Sequence, residues 1–339
     1  HTLTLSISKL IKNLDFKPIA TKPNAIYHDY TGVSFKSIFS IEGSCPCDVF
    51  ISIHKGKHTR IIKENDIVDH LRLMKYQKKG IRQLYIRRSD RRKFVSYSAN
   101  ILDQFIADDF SKLNSAQIIL DELVQQTLRE IYRDGILDEE SISSAFVIVY
   151  GYQKMLDVSI RSIAYLLQLA KEKPDYVRHS VYTSIFSILL ANAIPNTPAN
   201  VITLAGLGGL LHDIGMIKIP LNINELNPHL SLKEQIQLER HPQLGVDLLE
   251  QAFNCPKGLK KVIRDHHERW DGSGYPNNLS GENINYVARM VSIADYFNSI
   301  HRLKYKGKTI SPSRIISMMR EKNWFDPYLL DTFARLLRV

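Results

Sequence analysis

From Glu139 to the C-terminus the chain reads as one apolar helix after another, and five short segments bearing histidine or aspartate punctuate that run. They are His179 in Tyr176-Val177-Arg178-His179-Ser180, opening a helix; His212-Asp213, closing a helix over Leu204–Leu211; His241-Pro242; His266-His267; and Asp295, on a helix from Val291 to Ile300. Imidazoles and carboxylates are the donors that iron, manganese and zinc take. Helices that point such groups into a bundle core are one way to build a two-metal centre. A centre of that kind suits phosphodiester cleavage, because it acidifies a water and clamps phosphate oxygens. Any one of these segments is commonplace. The ordered set is what constrains the fold.

Several local signals place the segments. Gly206, Gly208 and Gly209 let the helix before His212 approach a neighbour closely. Ser231-x-x-Glu234 is a capping box that starts the helix before His241. Asp271-Gly272-Ser273-Gly274-Tyr275-Pro276, after His266-His267, reads as a glycine-rich turn.

The chain has 339 residues, which suggests two domains, and 44% hydrophobic content supplies a core without a disulfide. Three cysteines, Cys45, Cys47 and Cys255, form no CxxC pair, and this fits a reducing, cytoplasmic compartment. No uninterrupted apolar run reaches membrane-spanning length and the first residues are not a signal peptide, so no membrane association is expected. A net charge of +10 favours phosphate-bearing partners but equally describes a solvated basic surface; a nucleic-acid partner is not expected.

Residues 1–106 read as a small α+β domain of regulatory character. Val49–Ile53 and Leu84–Ile86 have strand composition, and Asn65–Gln77 has helical spacing. A connecting helix over about Ser111–Tyr132, closed by Asp134-Gly135, fills 107–138, and residues 139–339 form the helical domain. The fold class expected is thus a mainly α C-terminal domain, a helical bundle with a metal centre, behind a small α+β N-terminal domain.

The C-terminal motifs resemble a known family. His212-Asp213-Ile214-Gly215, His241-Pro242, His266-His267-Glu268-x-x-Asp271-Gly272-x-Gly274-Tyr275-Pro276 and Ala294-Asp295 are similar in order and spacing to the signature of the HD-GYP proteins, with Phe325-Asp326-Pro327 resembling the closing segment. The resemblance covers roughly residues 140–339. It implies an HD-type helical fold and hydrolysis of the bacterial second messenger cyclic di-GMP to pGpG or GMP by a metal-activated water. It implies two or three transition-metal ions, iron first and manganese as the alternative. By position, His179, His212, Asp213 and Asp295 would hold one ion, and Asp213, His241, His266 and His267 the other, with Asp213 as bridge. Asp175, four residues before His179, is where some members place a ligand for a third ion.

The substrate side departs from the family. Met216 stands where HDxGK has lysine, which leaves Lys218 as the nearby cation; Leu221 replaces a polar residue; Lys304 stands where an arginine commonly contacts ligand; and Lys306 replaces a tyrosine. Lys lacks the bidentate fork of Arg. Asp213 and Lys218 are therefore the catalytic candidates, and Lys304 and Tyr275 the substrate contacts. The alternatives are a weakly active or inactive receptor or scaffold, with the Tyr275 loop docking a partner such as a diguanylate cyclase, and a phosphohydrolase for another nucleotide.

Overall fold

Alternation in Val49-Phe50-Ile51 and Leu84-Tyr85-Ile86 puts one set of apolar side chains on one sheet face. In the computed structural model, which describes residues 29–41, 43–54, 57–108, 113–135, 137–158, 175–220, 230–252, 255–302, 304–305 and 308–339, those side chains do line a core. The chain divides into two units, His1–Thr127 and Leu128–Val339.

In the first unit, β1 (Tyr30–Val33), β2 (Val49–His54), β3 (Lys57–Ile62) and β4 (Leu84–Arg87) form an antiparallel sheet in the order β1-β4-β2-β3. Val33, Val49, Ile51, Leu84 and Ile86 pack with Ile38 and Leu73 from α1 (Phe35–Phe39) and α2 (His70–Lys78). Helix α2 begins later than the spacing from Asn65 suggests. Asn65 has a φ of 70°, incompatible with a right-handed helix, and Asp69 sets the true start by accepting from the Arg72 N–H at 3.0 Å. Cys45 and Cys47 are buried free thiols, with Cys45 Sγ donating to the Cys47 carbonyl. Helix α3 (Arg91–Asp108) follows, then α4 (Leu113–Asp134), within which the division between units falls.

The second unit is helical: α5 (Glu139–Val158), α6 (Asp175–Ala193), α7 (Ala199–Leu211), a 3-10 turn (Ile214–Lys218), α8 (Leu232–Leu238), α9 (His241–Gln251), α10 (Leu259–Asp265), α11 (Tyr286–Arg302), a hairpin of β5 (Lys304–Tyr305) and β6 (Lys308–Thr309), α12 (Pro312–Arg320) and α13 (Pro327–Leu337). This is the mainly α architecture expected for the C-terminal part. Phe186, Phe297 and Phe333 meet edge to face, with centroids 5.4, 5.9 and 5.2 Å apart, and tie α6, α11 and α13 together. Asp326 caps α13 by accepting from the Tyr328 and Leu329 N–H groups, and pairs with Arg289 on α11 at 2.7 Å.

Helices α6 and α7 touch backbone to backbone. A Cβ on Gly209 would lie 2.6 Å from Ser184 Cα, so only glycine permits this approach, and Ser184 Oγ donates to the Gly206 carbonyl at 2.8 Å. That contact brings His179 on α6 to His212 at the end of α7. The stretch Ala199–Lys218 is apolar and long enough to cross a membrane, but His212, Asp213 and Lys218 interrupt it and more than half of it is buried inside the protein, as in a core helix.

Candidate metal centre

Most of the proposed ligands are carried at or near a helix end, while Asp295 sits in the middle of α11. His212 follows α7 and Asp213 precedes the 3-10 turn; His241 is the first residue of α9; His266 follows α10; His179 and Asp295 lie within α6 and α11. The capping box that starts α8 is formed by Ser231 and Glu234, and α8 delivers the chain to His241.

Asp213 is the hub. Its Oδ2 lies 3.3 Å from His212 Nε2 and 3.5 Å from His179 Nε2, while its Oδ1 lies 3.3 Å from His241 Nε2 and 3.8 Å from His266 Nε2. Asp295 Oδ1 joins the first side, 3.1 Å from His179 Nε2 and 3.7 Å from His212 Nε2. Two donor groups result, His179 with His212 and Asp213, and Asp213 with His241, His266 and His267, each with ligand atoms within 4.8 Å of one another.

Three of the imidazoles are held in one tautomer. The Nδ1 of His212, His241 and His266 faces the main-chain carbonyl three residues earlier, on Gly209, Leu238 and Ile263, at 3.0, 2.7 and 2.6 Å. A carbonyl can only accept, so each Nδ1 carries the proton and each Nε2 presents its lone pair to the centre. Such outer bonds orient metal-ligating histidines. The donor chemistry and its presentation therefore fit transition-metal ions.

Electrostatics agree. Burial disfavours charge on Asp213, but His212, His241 and His179 outweigh it and hold the carboxyl well below its usual range. Asp295 is likewise lowered, against burial, chiefly by His179 and then His212. Burial also opposes charge on His212, yet Asp213 and Asp295 raise its pKa to about 9. His266 is pushed well below the usual imidazole value by burial and by His267, His212 and His241. The metal-free centre thus keeps its negative charge on the two carboxylates, to which an arriving cation is drawn.

The glycine-rich loop is anchored beside this centre. Glu268 is buried and accepts the N–H groups of Asn277 and Leu279 at 2.7 and 2.9 Å. Tyr275 stacks on His267, with centroids 4.8 Å apart and planes at 24°. Lys218 is exposed and lines a cleft of about 260 Å³ with Gln237, Arg240, Asp247 and Gln251; the metal-centre side chains are not part of its lining. Met216 packs with Ile219, Leu238, Leu230 and Leu244 in a small apolar cluster. Asp175 opens α6 and Lys304 opens β5, but the side chains of both, together with Leu221 and Lys306, lie outside the described residues. Sequence reading did not single out Arg240, next to His241, or the fully buried Asn298. The latter stands three residues after Asp295, on the same helix face, a spacing that could have flagged it.

Residues 168–329 match the HD domain family. Among curated proteins, the chain is 33% identical over 162 residues to cyclic di-GMP phosphodiesterase PA4108 of Pseudomonas aeruginosa, covering 48% of this chain and 39% of that protein. It is 35% identical over 129 residues to the cyclic di-GMP phosphodiesterase response regulator RpfG of Xanthomonas campestris, covering 37% and 34%. It is 32% identical over 124 residues to 3'3'-cGAMP-specific phosphodiesterase 2 of Vibrio cholerae, covering 36% and 24%. The chain thus spans well under half the length of these relatives. Among solved structures, Bd1817, a HDG"Y"P protein from Bdellovibrio bacteriovorus, shares the fold with a TM-score of 0.59 at 19% identity, covering 92% of this chain and 100% of that one. The C-terminal unit carries an HD domain, a fold that implies divalent metal binding. Its motifs are similar to those of the HD-GYP proteins, and the curated proteins it resembles include several cyclic di-GMP phosphodiesterases.

Proposed function

We propose that this chain is a metal-dependent phosphodiesterase that hydrolyses cyclic di-GMP to pGpG, or on to GMP. The observation that carries the reading is the division of Asp213, with one carboxylate oxygen facing His179 and His212 and the other facing His241 and His266. A single carboxylate so placed would offer one oxygen to each of two ions. We assign His179, His212, Asp213 and Asp295 to one ion and Asp213, His241, His266 and His267 to the other. Iron is the metal proposed, with manganese as alternative and a third ion if Asp175 contributes.

Bound ions of this kind supply Lewis acidity, lowering the pKa of a water to near 7 and neutralising phosphate oxygens. The chain's own residues do the rest. Asp213 and Asp295, held ionised, offset the cationic charge, and His212, His241 and His266 stay fixed in the Nε2-donor tautomer by their carbonyl partners. Water adds across the P–O bond, leaving a phosphate on one nucleotide and a hydroxyl on the other. Met216 cannot supply charge to that phosphate. Lys218 and Arg240, one residue before His241, bring cations to the cleft that flanks the ligand-bearing turn. Lys304 and Tyr275 complete the proposed substrate contacts. The exposed Asp271, Ser273 and Pro276 leave the loop accessible to a protein partner such as a diguanylate cyclase.

The test is a hydrolysis assay on protein reconstituted with iron under anaerobic conditions and, separately, with manganese. Cyclic di-GMP and 3'3'-cGAMP are offered in parallel and the products resolved chromatographically. Production of pGpG or GMP from cyclic di-GMP is expected. Nucleotide binding by the metal-loaded protein without any product would overturn the enzyme reading and make the chain a receptor.

A further inference from the structure

His179 differs from His212, His241 and His266 in what holds it. Its Nδ1 faces a side chain, the amide of Asn298 on α11, with Nδ2 at 2.9 Å. The same Nδ2 lies 3.1 Å from the His179 carbonyl and 3.1 Å from Thr183 Oγ1. Asn298 is 0% exposed, and its Oδ1 is buried with no hydrogen-bond partner among the described residues. An amide nitrogen has two hydrogens for these three contacts, and the oxygen that could accept has nothing to accept from.

In this arrangement the amide N–H points at His179 Nδ1, which must then be the bare nitrogen. The ring proton sits on Nε2, towards Asp295 Oδ1 at 3.1 Å. That is the wrong tautomer for a ligand, because coordination through Nε2 moves the proton to Nδ1, where it needs an acceptor. Asn298 can provide one by turning its amide through half a revolution. Oδ1 then accepts from His179 Nδ1–H and from the Thr183 hydroxyl, but it also comes to face the His179 carbonyl oxygen, which it cannot bond, so the turn carries a cost. Nitrogen and oxygen of a buried amide are interchangeable in shape, so the turn needs no repacking.

We propose that Asn298 is the positioning residue that sets the tautomer of His179, and that its amide must turn for the His179 side of the centre to take up metal. This rests on the metal-centre reading above. The two sides therefore differ in affinity. His241 and His266 are preset by main-chain carbonyls, whereas His179 is preset against coordination, so the His179–His212–Asp295 side loads second and more weakly.

The experiment titrates metal-free full-length protein with zinc, a diamagnetic ion, against a competing chelator, with bound metal counted by elemental analysis. Wild-type protein is compared with Asn298→Asp and Asn298→Leu. A carboxylate accepts from Nδ1–H without turning, so Asn298→Asp should tighten the weaker zinc about 10–100-fold, the range typical of outer partners of metal ligands. Asn298→Leu, of similar size but without an acceptor, should weaken that zinc at least about tenfold and leave the tighter one unchanged. Nitrogen NMR of the zinc-loaded protein should show His179 protonated at Nδ1 in wild type and in Asn298→Asp. Equal zinc affinities in all three proteins would overturn the proposal while leaving the metal centre standing. Equal weakening in both variants would also overturn it, since the amide N–H bonds would then be what counts. Wild-type protein that binds no zinc, iron or manganese would overturn the metal-centre reading and this proposal with it.

Discussion

Asp213→Ala is expected to lose metal from both sides of the centre and to lower hydrolysis by more than about 10³, the order seen when a principal electrostatic stabiliser is removed. The reason is geometric. Oδ1 and Oδ2 face different imidazole groups, so deleting one carboxylate withdraws a ligand from each ion at once. It also removes the negative charge that lets two cations sit close together. His241→Ala withdraws a neutral donor from one side only, because His241 approaches Oδ1 and His266 but not His179. Elemental analysis of the two variants side by side checks this. Partial and equal metal loss in both would show that Asp213 does not bridge.

Gly215→Ala should be nearly as damaging, though Gly215 ligates nothing. It lies in the 3-10 turn between Asp213 and Lys218, against the first turn of α9. A Cβ there would fall 1.9 Å from the His241 carbonyl oxygen and 2.6 Å from the Gly245 nitrogen. Both are main-chain atoms of a helix and cannot swing aside as a long side chain would. Helix α9 must move outward and carry His241 from Asp213, or the turn must unwind. Overpacking of this kind costs about 3 kcal/mol, or roughly 6–12 °C in Tm for a unit of this size. Metal on the His241 side should be lost as well. A thermal melt and a metal count on the same sample check both. Wild-type Tm with full metal content would mean that the turn and α9 are not in contact.

The proposed ligand set is legible in the sequence because its chemistry is local and repeated. Most of the histidines and Asp213 stand at or near a helix end, and neighbouring signals mark those helices, as Ser231 and Glu234 mark α8 and the glycines at 206, 208 and 209 mark the close approach of α7. The motif order then carried the resemblance to the HD-GYP proteins. What gave Met216 and Lys218 their places was less visible. Both follow Asp213 within five residues, yet tertiary packing sends one into an apolar cluster with Leu238 and the other to an exposed cleft with Arg240. Asn298 reads in sequence as an ordinary helix residue, and its contact with His179 spans 119 positions.

In the first unit the pattern was weaker. Strand β3, Lys57–Ile62, is largely exposed over its first four residues and has no alternation to read. Strand β1 and helix α1 are only four and five residues long. The start of α2 was misplaced because Ile67 extends the apolar spacing of Leu71 and Leu73-Met74 upstream, while the backbone at Asn65 and the cap at Asp69 decide where the helix begins.

A two-ion centre bridged by Asp213 is tested most directly by the number of ions bound per chain. Protein stripped of metal, reconstituted anaerobically with iron or with manganese and freed of excess, should retain at least two ions per chain, about 3.5–4 Å apart by X-ray absorption. Retention of one ion or none under both conditions would contradict it.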